Sequence, residues 1–228
     1  MEIKDKVVVI TGGSSGLGKA LAKVFSKGGA KVIIVSNNTE ELKKTADELN
    51  VFSFEADITK EEQVLKIGVA VVEKFKSLDI WINNAGIWMH HSPFEEMDIA
   101  HFHNLVEVNL FGTVYGSKAA SLQMKKQGSG LIVNILSVSA LEGRAESSGY
   151  CASKYAAVGF TKSIRLELAD DNIKIISVYP GGMKTPLWSE RKPADYDNFM
   201  EPADVAEKIL ENIMLSKPKE EQIIKELK

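Results

Sequence analysis

The sequence predicts a doubly wound α/β fold, in which a parallel sheet of about seven strands carries helices on both faces within a single domain, residues 1–228. Short apolar runs rich in β-branched residues recur along the chain and mostly lack polar alternation, which is typical of strands covered on both faces. Segments with helical spacing of apolar residues lie between these runs. No linker or internal repeat divides the chain, so we expect one core and right-handed crossovers between parallel strands.

The predicted strands follow the chain as Val7–Ile10, Ile33–Val35, Val51–Phe54, Leu78–Ile82, Leu131–Ile135, Ile173–Val178 and, near the end, Gln222–Leu227. Two helical faces are predicted between them, formed by Ala20, Leu21, Val24 and Phe25 and by Phe102, Leu105, Val106, Asn109, Leu110 and Thr113. Capping-box spacing predicts helix starts at Asn38 with Glu41, Thr59 with Glu62 and Ser92 with Glu95, the last with Pro93 at the first helical position.

Composition excludes several classes of protein. The 28 basic and 31 acidic side chains leave a formal net charge of -3, which argues against a nucleic-acid partner. The single cysteine, Cys151, excludes an internal disulfide and a thiolate zinc cage, and we expect it to be a packing residue. No run approaches the roughly 18 apolar residues of a membrane span. We therefore expect a cytoplasmic protein without a membrane partner.

A glycine-rich loop follows the first predicted strand, in the order Thr11-Gly12-Gly13-Ser14-Ser15-Gly16-Leu17-Gly18. Glycines let a backbone approach a pyrophosphate, and free amides at a helix start stabilise its charge, although a plain strand-to-helix turn is the alternative. The spacing Gly-x-x-x-Gly-x-Gly differs from the ordinary Rossmann-type fingerprint. It resembles the loop of the short-chain dehydrogenase/reductase family. The resemblance implies a nicotinamide cofactor bound by Gly12, Ser14, Ser15, Gly16, Leu17 and Gly18.

The end of the second strand bears on which cofactor binds. An acidic residue there usually holds the ribose hydroxyls of NAD, but this chain has Ser36 and Asn37, with no arginine for a 2′-phosphate either. Both side chains can hydrogen-bond a phosphate without repelling it, which favours NADP(H) over NAD(H). Asn38 equally well caps the next helix. Asp57, followed by Ile58, resembles the family's adenine-contacting aspartate, and the alternative is an ordinary loop aspartate.

Tyr150 and Lys154 are the candidates for proton transfer. Reducing a ketone needs an acid for the developing alkoxide, and a tyrosine becomes an effective base only when a cation favours its phenolate. The two residues lie four apart in a helix-compatible segment, which places both on one face, and no other tyrosine has a lysine at that offset. Taken alone, such a pair is more often a surface contact.

Ser137 and Asn109 complete the candidate set. Ser137 follows the fifth strand, where its hydroxyl can donate to a substrate oxygen, and it precedes Tyr150 by thirteen residues, the spacing of the family's catalytic serine. Leu136 replaces the first of the two adjacent serines that the family usually has. Asn109 lies on an apolar helix face, where a satisfied core asparagine is the alternative. In the family, an asparagine here opens the helix and holds a water that relays protons from the lysine.

The resemblance extends from Lys6 to about Pro186, with its elements in order. It implies that Tyr150 is the general acid/base, that Ser137 orients the carbonyl and that Lys154 lowers the pKa of the tyrosine and bonds the nicotinamide ribose. It also implies cofactor contacts from two further segments, namely Asn84, Ala85 and Gly86 of Asn83-Asn84-Ala85-Gly86, and Pro180, Gly181, Met183 and Thr185 of the segment that seats the carboxamide.

The predicted substrate loops have a largely apolar and aromatic rim, and they carry Trp88, Met89, His90 and His91, then Leu141, Glu142 and Arg144, then Met183, Leu187, Trp188, Tyr196, Phe199 and Met200. They favour a lipophilic or aromatic ketone, and a dimer contact or a self-closing lid is the alternative. We expect a short lid at about 186–201. Arg144 either recognises an anionic substrate or is solvated. We expect no metal at His90, His91, His101 or His103, because adjacent and two-apart helical residues point to different sides.

These residues lead to one main hypothesis, an NAD(P)-dependent oxidoreductase that acts on a carbonyl/alcohol pair. The alternative is a non-catalytic NADP(H)-binding, redox-sensing regulator on the same fold. A sugar epimerase or dehydratase needs a larger substrate domain than this chain has. The resemblance also implies a homodimer or homotetramer that pairs through the helices around Phe102–Met124 and Ser148–Ala169.

Overall fold

A computed structural model describes residues 1–89, 92–188 and 192–225 of the protein. In these ranges seven parallel strands form one sheet in the order β3-β2-β1-β4-β5-β6-β7. The strands are β1 Val7–Thr11, β2 Lys31–Ser36, β3 Phe52–Glu55, β4 Ile80–Asn83, β5 Gly130–Ile135, β6 Ile173–Pro180 and β7 Glu221–Ile224. The α-helices are α1 Gly16–Lys27, α2 Thr39–Leu49, α3 Glu61–Phe75, α4 Ile99–Val106, α5 Gly112–Gln127, α6 Ser148–Glu167 and α7 Pro202–Met214.

The sheet separates two apolar layers because successive residues of a strand face opposite sides. In β1, Val8 and Ile10 pack into the layer that contains α1, α2 and α7. Val7 and Val9 pack into the layer that contains α3 and α5. All five residues of β1 are buried, as expected for a central strand. The predicted doubly wound fold is confirmed, and no helix of the described ranges is long and apolar enough to cross a bilayer.

The strand order reverses between β1 and β4, since β2 and β4 flank β1 on opposite sides. Loops that leave the carboxyl ends of these two strands therefore diverge to opposite faces and leave a crevice between them. This switch point is where a ligand site is expected in an open parallel sheet.

Two predicted helix starts are wrong. α3 begins at Glu61 after Lys60, not at Thr59, because the Thr59 hydroxyl donates to the Asp57 carboxylate (2.8 Å) instead of capping the helix. The predicted start at Ser92 and Pro93 is only a 3₁₀ turn at Phe94–Glu96. α4 starts later because the Asp98 carboxylate accepts hydrogen bonds from two amides of its first turn.

The third strand differs from the prediction in exposure. We expected strands covered on both faces, but β3 lies at the edge of the sheet and most of its residues are exposed. Phe52 packs edge-on against Phe75, with ring centroids 4.8 Å apart, and the Lys74 ammonium lies 4.5 Å from the Phe52 ring centroid. A cation over an exposed aromatic ring partly covers this sheet edge.

Candidate active site

A cleft of ≈ 700 Å³ opens at the switch point of the sheet, along the carboxyl ends of the strands. Most of the residues predicted from the sequence line it, namely Gly12, Ser14, Ser15, Gly16, Leu17, Ser36, Asn37, Asp57, Ile58, Asn84, Ala85, Gly86, Ser137, Tyr150, Lys154, Pro180, Gly181, Met183 and Thr185. Gly18 and Asn109 do not line the cleft. Both lie behind its wall and support residues that do.

The glycine-rich loop runs from β1 into α1, whose N-cap residue, Ser15, makes no side-chain cap hydrogen bond. The amides of the first turn of α1 therefore remain free of a side-chain cap at the cleft, and no acidic residue lies in that turn. Gly18 packs directly on the carbonyl oxygen of Gly12, so a side chain at Gly18 would collide with the loop. The loop and the helix start fit an anionic group such as a pyrophosphate.

The segment after β4 holds this loop in place. The Asn84 amide group donates to the carbonyl oxygens of Thr11 (2.9 Å) and Gly12 (3.3 Å). The Thr11 hydroxyl in turn accepts from the backbone amides of Asn84 (3.0 Å) and Ala85 (3.1 Å). Two neighbouring strand ends are thereby tied together across the switch point.

At the far end of the cleft, hydroxyl and amide groups follow β2. Ser36 Oγ lies 3.1 Å from Ser14 Oγ and accepts from the Asn38 amide at 3.1 Å. Asn38 caps α2 by accepting from the Glu41 amide (3.1 Å), which confirms this predicted helix start. Glu41 also lines the cleft, and sequence reasoning missed it because it was read only as a capping partner.

Asp57 and Ile58 line the cleft after β3. One carboxylate oxygen of Asp57 accepts from the amide (2.9 Å) and the hydroxyl (2.8 Å) of Thr59, and its own amide donates to Gln63 Oε1 (2.8 Å). These bonds fix the turn before α3. The aspartate is therefore a structural turn residue that also faces the cleft.

Tyr150 and Lys154 lie in the first two turns of α6, at the opposite end of the cleft from Ser36. The Lys154 ammonium lies 5.9 Å from the centroid of the tyrosine ring and donates to the Ile135 carbonyl oxygen (3.4 Å). Burial lowers the pKa of Lys154 to about 8. Burial likewise raises the pKa of the Tyr150 phenol, whereas hydrogen bonding by Ser137 and the charge of Arg144 lower it.

Ser137 stands at the end of β5, and the structure brings it to Tyr150. It is buried, and its hydroxyl oxygen accepts from the Ser139 amide (3.1 Å), which opens a short 3₁₀ turn. The hydroxyl proton therefore remains available to donate toward the cleft. Cys151, next to Tyr150, is buried away from that surface, as predicted for a packing residue.

Asn109 lies in a π-helical turn, Glu107–Phe111, between α4 and α5. Its side-chain oxygen accepts from the Ile87 amide (2.9 Å), and its nitrogen donates to the Ile87 carbonyl (3.0 Å) and to Ser153 Oγ (3.1 Å). A side chain at Gly86 would press on the side-chain oxygen of Asn109. Asn109 thus connects the loop after β4 to α6, which carries Tyr150 and Lys154.

The aromatic rings of Trp88, Trp188 and Phe199 form a contiguous wall, of which Trp88 and Trp188 line the cleft. Met183 and Leu187 also line it, whereas the other residues predicted for the substrate side do not, namely Met89, Leu141, Tyr196, Phe199 and Met200. The Trp188 ring lies 4.7 Å from the Trp88 ring and 5.4 Å from the Phe199 ring, measured between centroids. The Trp188 indole nitrogen donates to the Met183 carbonyl oxygen (2.8 Å), and Met183 forms an isolated bridge with Met200. The segment after β6 is thereby folded back over the cleft.

Comparison with known proteins decides the family. The family model described as short chain dehydrogenase matches residues 6–195. The chain belongs to this family. An uncharacterized oxidoreductase of Staphylococcus aureus (strain MRSA252) is 34% identical over 220 residues, which cover 95% of this chain and 94% of that protein.

Solved structures of short-chain dehydrogenases agree with this assignment. An alcohol dehydrogenase from the archaeon Thermococcus sibiricus, complexed with 5-hydroxy-NADP, has a TM-score of 0.89 at 27% identity, covering 98% of this chain and 97% of its own. The 3-ketoacyl-(acyl-carrier-protein) reductase from Brucella melitensis, complexed with NADH, has a TM-score of 0.88 at 29% identity, with the same 98% and 97% coverage. The resemblance predicted from the motifs is confirmed, and the protein is a dehydrogenase/reductase enzyme.

One part of this short-chain dehydrogenase site was missed by sequence reasoning. Asn83 and Asn134 are register partners on β4 and β5, and Asn83 Nδ2 donates to Asn134 Oδ1 at 2.8 Å. Asn83 also accepts from the Trp81 indole (2.7 Å) and donates to Ser117 Oγ (3.0 Å), while Asn134 donates to Thr161 Oγ1 (2.9 Å) on α6. We call these five residues the floor network. The signal in the sequence was an asparagine near the carboxyl end of each of two predicted strands, the fourth and the fifth.

Metal ligation has no support among the described residues, in which no group of three or more His, Cys, Asp or Glu side chains could hold an ion. His101 lines the cleft and His103 lies on the same helix. His90 and His91 lie outside the described residues, as does the middle of the predicted lid, residues 189–191.

Proposed function

We propose that the protein catalyses hydride transfer between NADP(H) and a carbonyl/alcohol pair, with Tyr150 as the general acid/base. The observation that carries this proposal is that one cleft joins the glycine-rich loop to Tyr150, Ser137 and Lys154. The relatives are named oxidoreductases, dehydrogenases and reductases, which supports an enzyme over the non-catalytic regulator.

The residues present fit a dinucleotide. The first turn of α1 offers amides without a side-chain cap beside Gly12 and Gly16, which suits the pyrophosphate. Ser36 and Asn37 mark the adenosine end, and Pro180, Gly181, Met183 and Thr185 lie at the nicotinamide end with Lys154. When bound, the nicotinamide supplies or accepts the hydride.

In the direction of reduction, the carbonyl carbon receives the hydride and its oxygen receives the phenolic proton of Tyr150, which gives the alcohol. Ser137 donates a hydrogen bond to the same oxygen and so stabilises the developing alkoxide. Lys154 is predominantly protonated below pH 8, because burial places its pKa at about 8, and its charge favours the phenolate left on Tyr150. Oxidation of the alcohol reverses these proton movements.

Asn109 is proposed to act as a positioning residue within this set. Its side-chain amide is fully engaged with Ile87 and Ser153, so a water held by Asn109 would bind the main-chain carbonyl. That carbonyl also accepts from the hydroxyl of Thr113, in the first turn of α5, at 2.9 Å. Such a water would relay protons toward Lys154.

The test is oxidation of NADPH with a panel of lipophilic and aromatic ketones, which the contiguous wall of Trp88, Trp188 and Phe199 favours. We expect turnover with at least one ketone and a loss of about 10³-fold or more in Tyr150→Phe, the scale of removing a general acid. Tyr155→Phe, an exposed tyrosine on the same helix, is the matched control and should retain activity. Turnover with no ketone, or full activity in Tyr150→Phe, would contradict the proposal.

Preference for NADP(H) is proposed from the end of β2, where Ser36 and Asn37 bring hydroxyl and amide groups without a carboxylate. Ser36→Asp should weaken NADPH binding by more than about tenfold through charge repulsion, and leave NADH binding unchanged or tighter. Glu41 is a nearby carboxylate on the cleft wall, so Glu41→Gln should shift preference further toward NADPH. Equal affinity of wild type for the two cofactors, measured by fluorescence quenching, would contradict the preference.

Pairing into a homodimer or homotetramer is proposed from exposed apolar side chains on α5 and α6. Leu122 is 45% exposed, and Tyr155 and Leu166 are 45% and 81% exposed. Tyr155 and Leu166 are eleven residues apart, so they lie within roughly 20° of each other on the helix. Sedimentation should give a mass that is a multiple of 25.0 kDa, and Leu166→Glu should lower the measured mass.

A further inference from the structure

The charged side chains that line the cleft are divided between its two ends. The carboxylates on its wall are Glu41 and Asp57, and both follow the strand ends at the adenosine side. Near Tyr150 the described lining residues carry no carboxylate, and the cations Arg144 and Lys154 lie there instead. The end at which a substrate would react therefore has an excess of positive charge.

Arg144 is carried by a tightly bonded turn. The Ser147 amide donates to the Arg144 carbonyl oxygen (3.3 Å), and the Ser92 amide donates to the Glu146 carbonyl oxygen (3.1 Å), which ties this turn to the loop after β4. Glu146 has a left-handed backbone with φ 60, which reverses the chain before α6. These hydrogen bonds fix the backbone around Arg144, which lies six residues before Tyr150 in the sequence.

The guanidinium of Arg144 forms no ion pair with a carboxylate of the described residues, although Glu142 and Glu146 are near it in sequence. Arg165 shows the contrasting arrangement, since its guanidinium pairs with Glu221 (3.1 Å) and donates to Ser177 Oγ (2.6 Å). Arg144 lines the cleft together with Tyr150, and its positive charge partly offsets the rise that burial causes in the pKa of the Tyr150 phenol. An exposed arginine that lines a reaction site and forms no ion pair with a carboxylate of the described residues is suited to bind an anion.

The surroundings restrict what else the substrate carries. Trp88 is 8% exposed, and its contact with Trp188 forms an apolar wall in the cleft that Arg144 also lines. Such a wall favours an aromatic or aliphatic body of the ligand. The combination of this wall with Arg144 suits a molecule that is apolar around its carbonyl and anionic at one end.

We propose that Arg144 binds an anionic group of the substrate, a carboxylate or a phosphate, so that the enzyme prefers aromatic or apolar ketones that carry such a group over neutral ones. This inference rests on the proposed function and adds a substrate class to it. Arg144 acts here as a specificity residue and takes no part in proton transfer.

The experiment compares three ketones that share the acetylphenyl body: 4-acetylbenzoate, 4-acetylphenyl phosphate and the neutral methyl 4-acetylbenzoate. The measured quantity is kcat/KM for each anionic ketone divided by kcat/KM for the neutral ester, with NADPH saturating. We expect one of the two ratios to exceed 1 in the wild type. The same ratio should fall about tenfold in Arg144→Gln, which is the effect of losing one charge-assisted hydrogen bond in a partly solvated site. The larger of the two ratios identifies the anion.

Two variants sharpen the result. Arg144→Lys should retain part of the ratio, because it keeps the charge but loses the bidentate geometry. Lys162→Gln removes a charge from the exposed side of α6, away from the cleft, and should leave both ratios unchanged. A ratio that is the same in Arg144→Gln and in wild type would overturn this inference while leaving the proposed function intact. Absence of turnover with all three ketones and with the panel above would overturn the proposed function and this inference together.

Discussion

The floor of the cleft and its rim are stabilised in different ways. Under the reactive end, Trp81, Asn83 and Asn134 are buried and linked by hydrogen bonds of 2.7 and 2.8 Å. On the substrate side, Trp188 is held by ring contacts and by one hydrogen bond to the Met183 carbonyl oxygen, and Arg144 is exposed. A buried and fully paired network opens only with the whole domain, whereas a rim of few contacts opens locally.

This difference separates two kinds of variant. Substitutions in the floor network should change the free energy of unfolding. Substitutions of the residues that face the reactive end of the cleft, such as Ser137, should change kcat. Substitutions in the rim should change KM and the choice of substrate at little cost in stability. A family that uses one chemistry on many substrates can vary the rim without disturbing the floor.

Apart from Tyr150→Phe, Ser137→Ala should have the largest effect, a fall in kcat of about 10²- to 10³-fold, since in the proposed mechanism it removes a donor to the developing alkoxide. The change in unfolding free energy should be about 1 kcal/mol, because the hydroxyl also accepts from the Ser139 amide. Ser139→Ala is the matched control at a neighbouring buried serine of the cleft wall. Steady-state kinetics and urea denaturation measure both quantities, and equal kcat losses in the two variants would contradict the assignment.

Asn83→Ala tests the floor network itself. The substitution removes one hydrogen bond each from the Trp81 indole, Ser117 and Asn134, so the free energy of unfolding should fall by about 3 kcal/mol. The same substitution at exposed Asn198 should cost less than about 0.5 kcal/mol. A loss in Asn83→Ala as small as that in Asn198→Ala would show that the floor is no more rigid than the rim.

Lys154 makes the free energy of unfolding depend on pH. Its folded pKa is lowered to about 8, whereas an unfolded lysine titrates near 10.5, so the unfolded chain binds more protons between these values. The cost of burying the charge is present in full below pH 8 and is relieved as pH rises above it. Relative to Lys154→Met, the wild type should gain about 2 kcal/mol of unfolding free energy from pH 8 to pH 10. A difference between the two proteins that does not change over this range would contradict the burial of the charge.

Local patterns in the sequence anticipated the parts of the molecule that depend on local rules. The apolar runs gave strands within a few residues of those observed, and the spacing of Tyr150 and Lys154 placed both on one face of α6. The cap at Asn38 also follows from short-range hydrogen bonding. In each case the residues involved are neighbours in the chain or one helical turn apart.

Features that depend on competition between hydrogen-bond partners, or on residues far apart in the chain, could not be predicted from local sequence patterns. Thr59 had the right spacing for a cap, but the Asp57 carboxylate takes its hydroxyl. Asn109 lies in a π-helical turn, and its side-chain amide bonds Ile87, which is 22 residues away. The bond between Asn83 and Asn134 depends on the pairing of β4 with β5 across 51 residues.

Trp188→Ala should have the smallest effect on stability and a selective effect on binding. The ring contacts Trp88 and Phe199 at the rim, so KM for an aromatic ketone should rise about fivefold, corresponding to about 1 kcal/mol, while kcat changes less than about twofold. Trp81→Phe is the counterpart in the floor, since it keeps an aromatic ring and removes the donor to Asn83. It should lower Tm by several degrees and leave KM unchanged, whereas Trp188→Ala should lower Tm by less than about 3 °C. If both variants change Tm and KM alike, the floor and the rim form a single cooperative unit, and the division between chemistry and substrate choice drawn from their bonding is wrong.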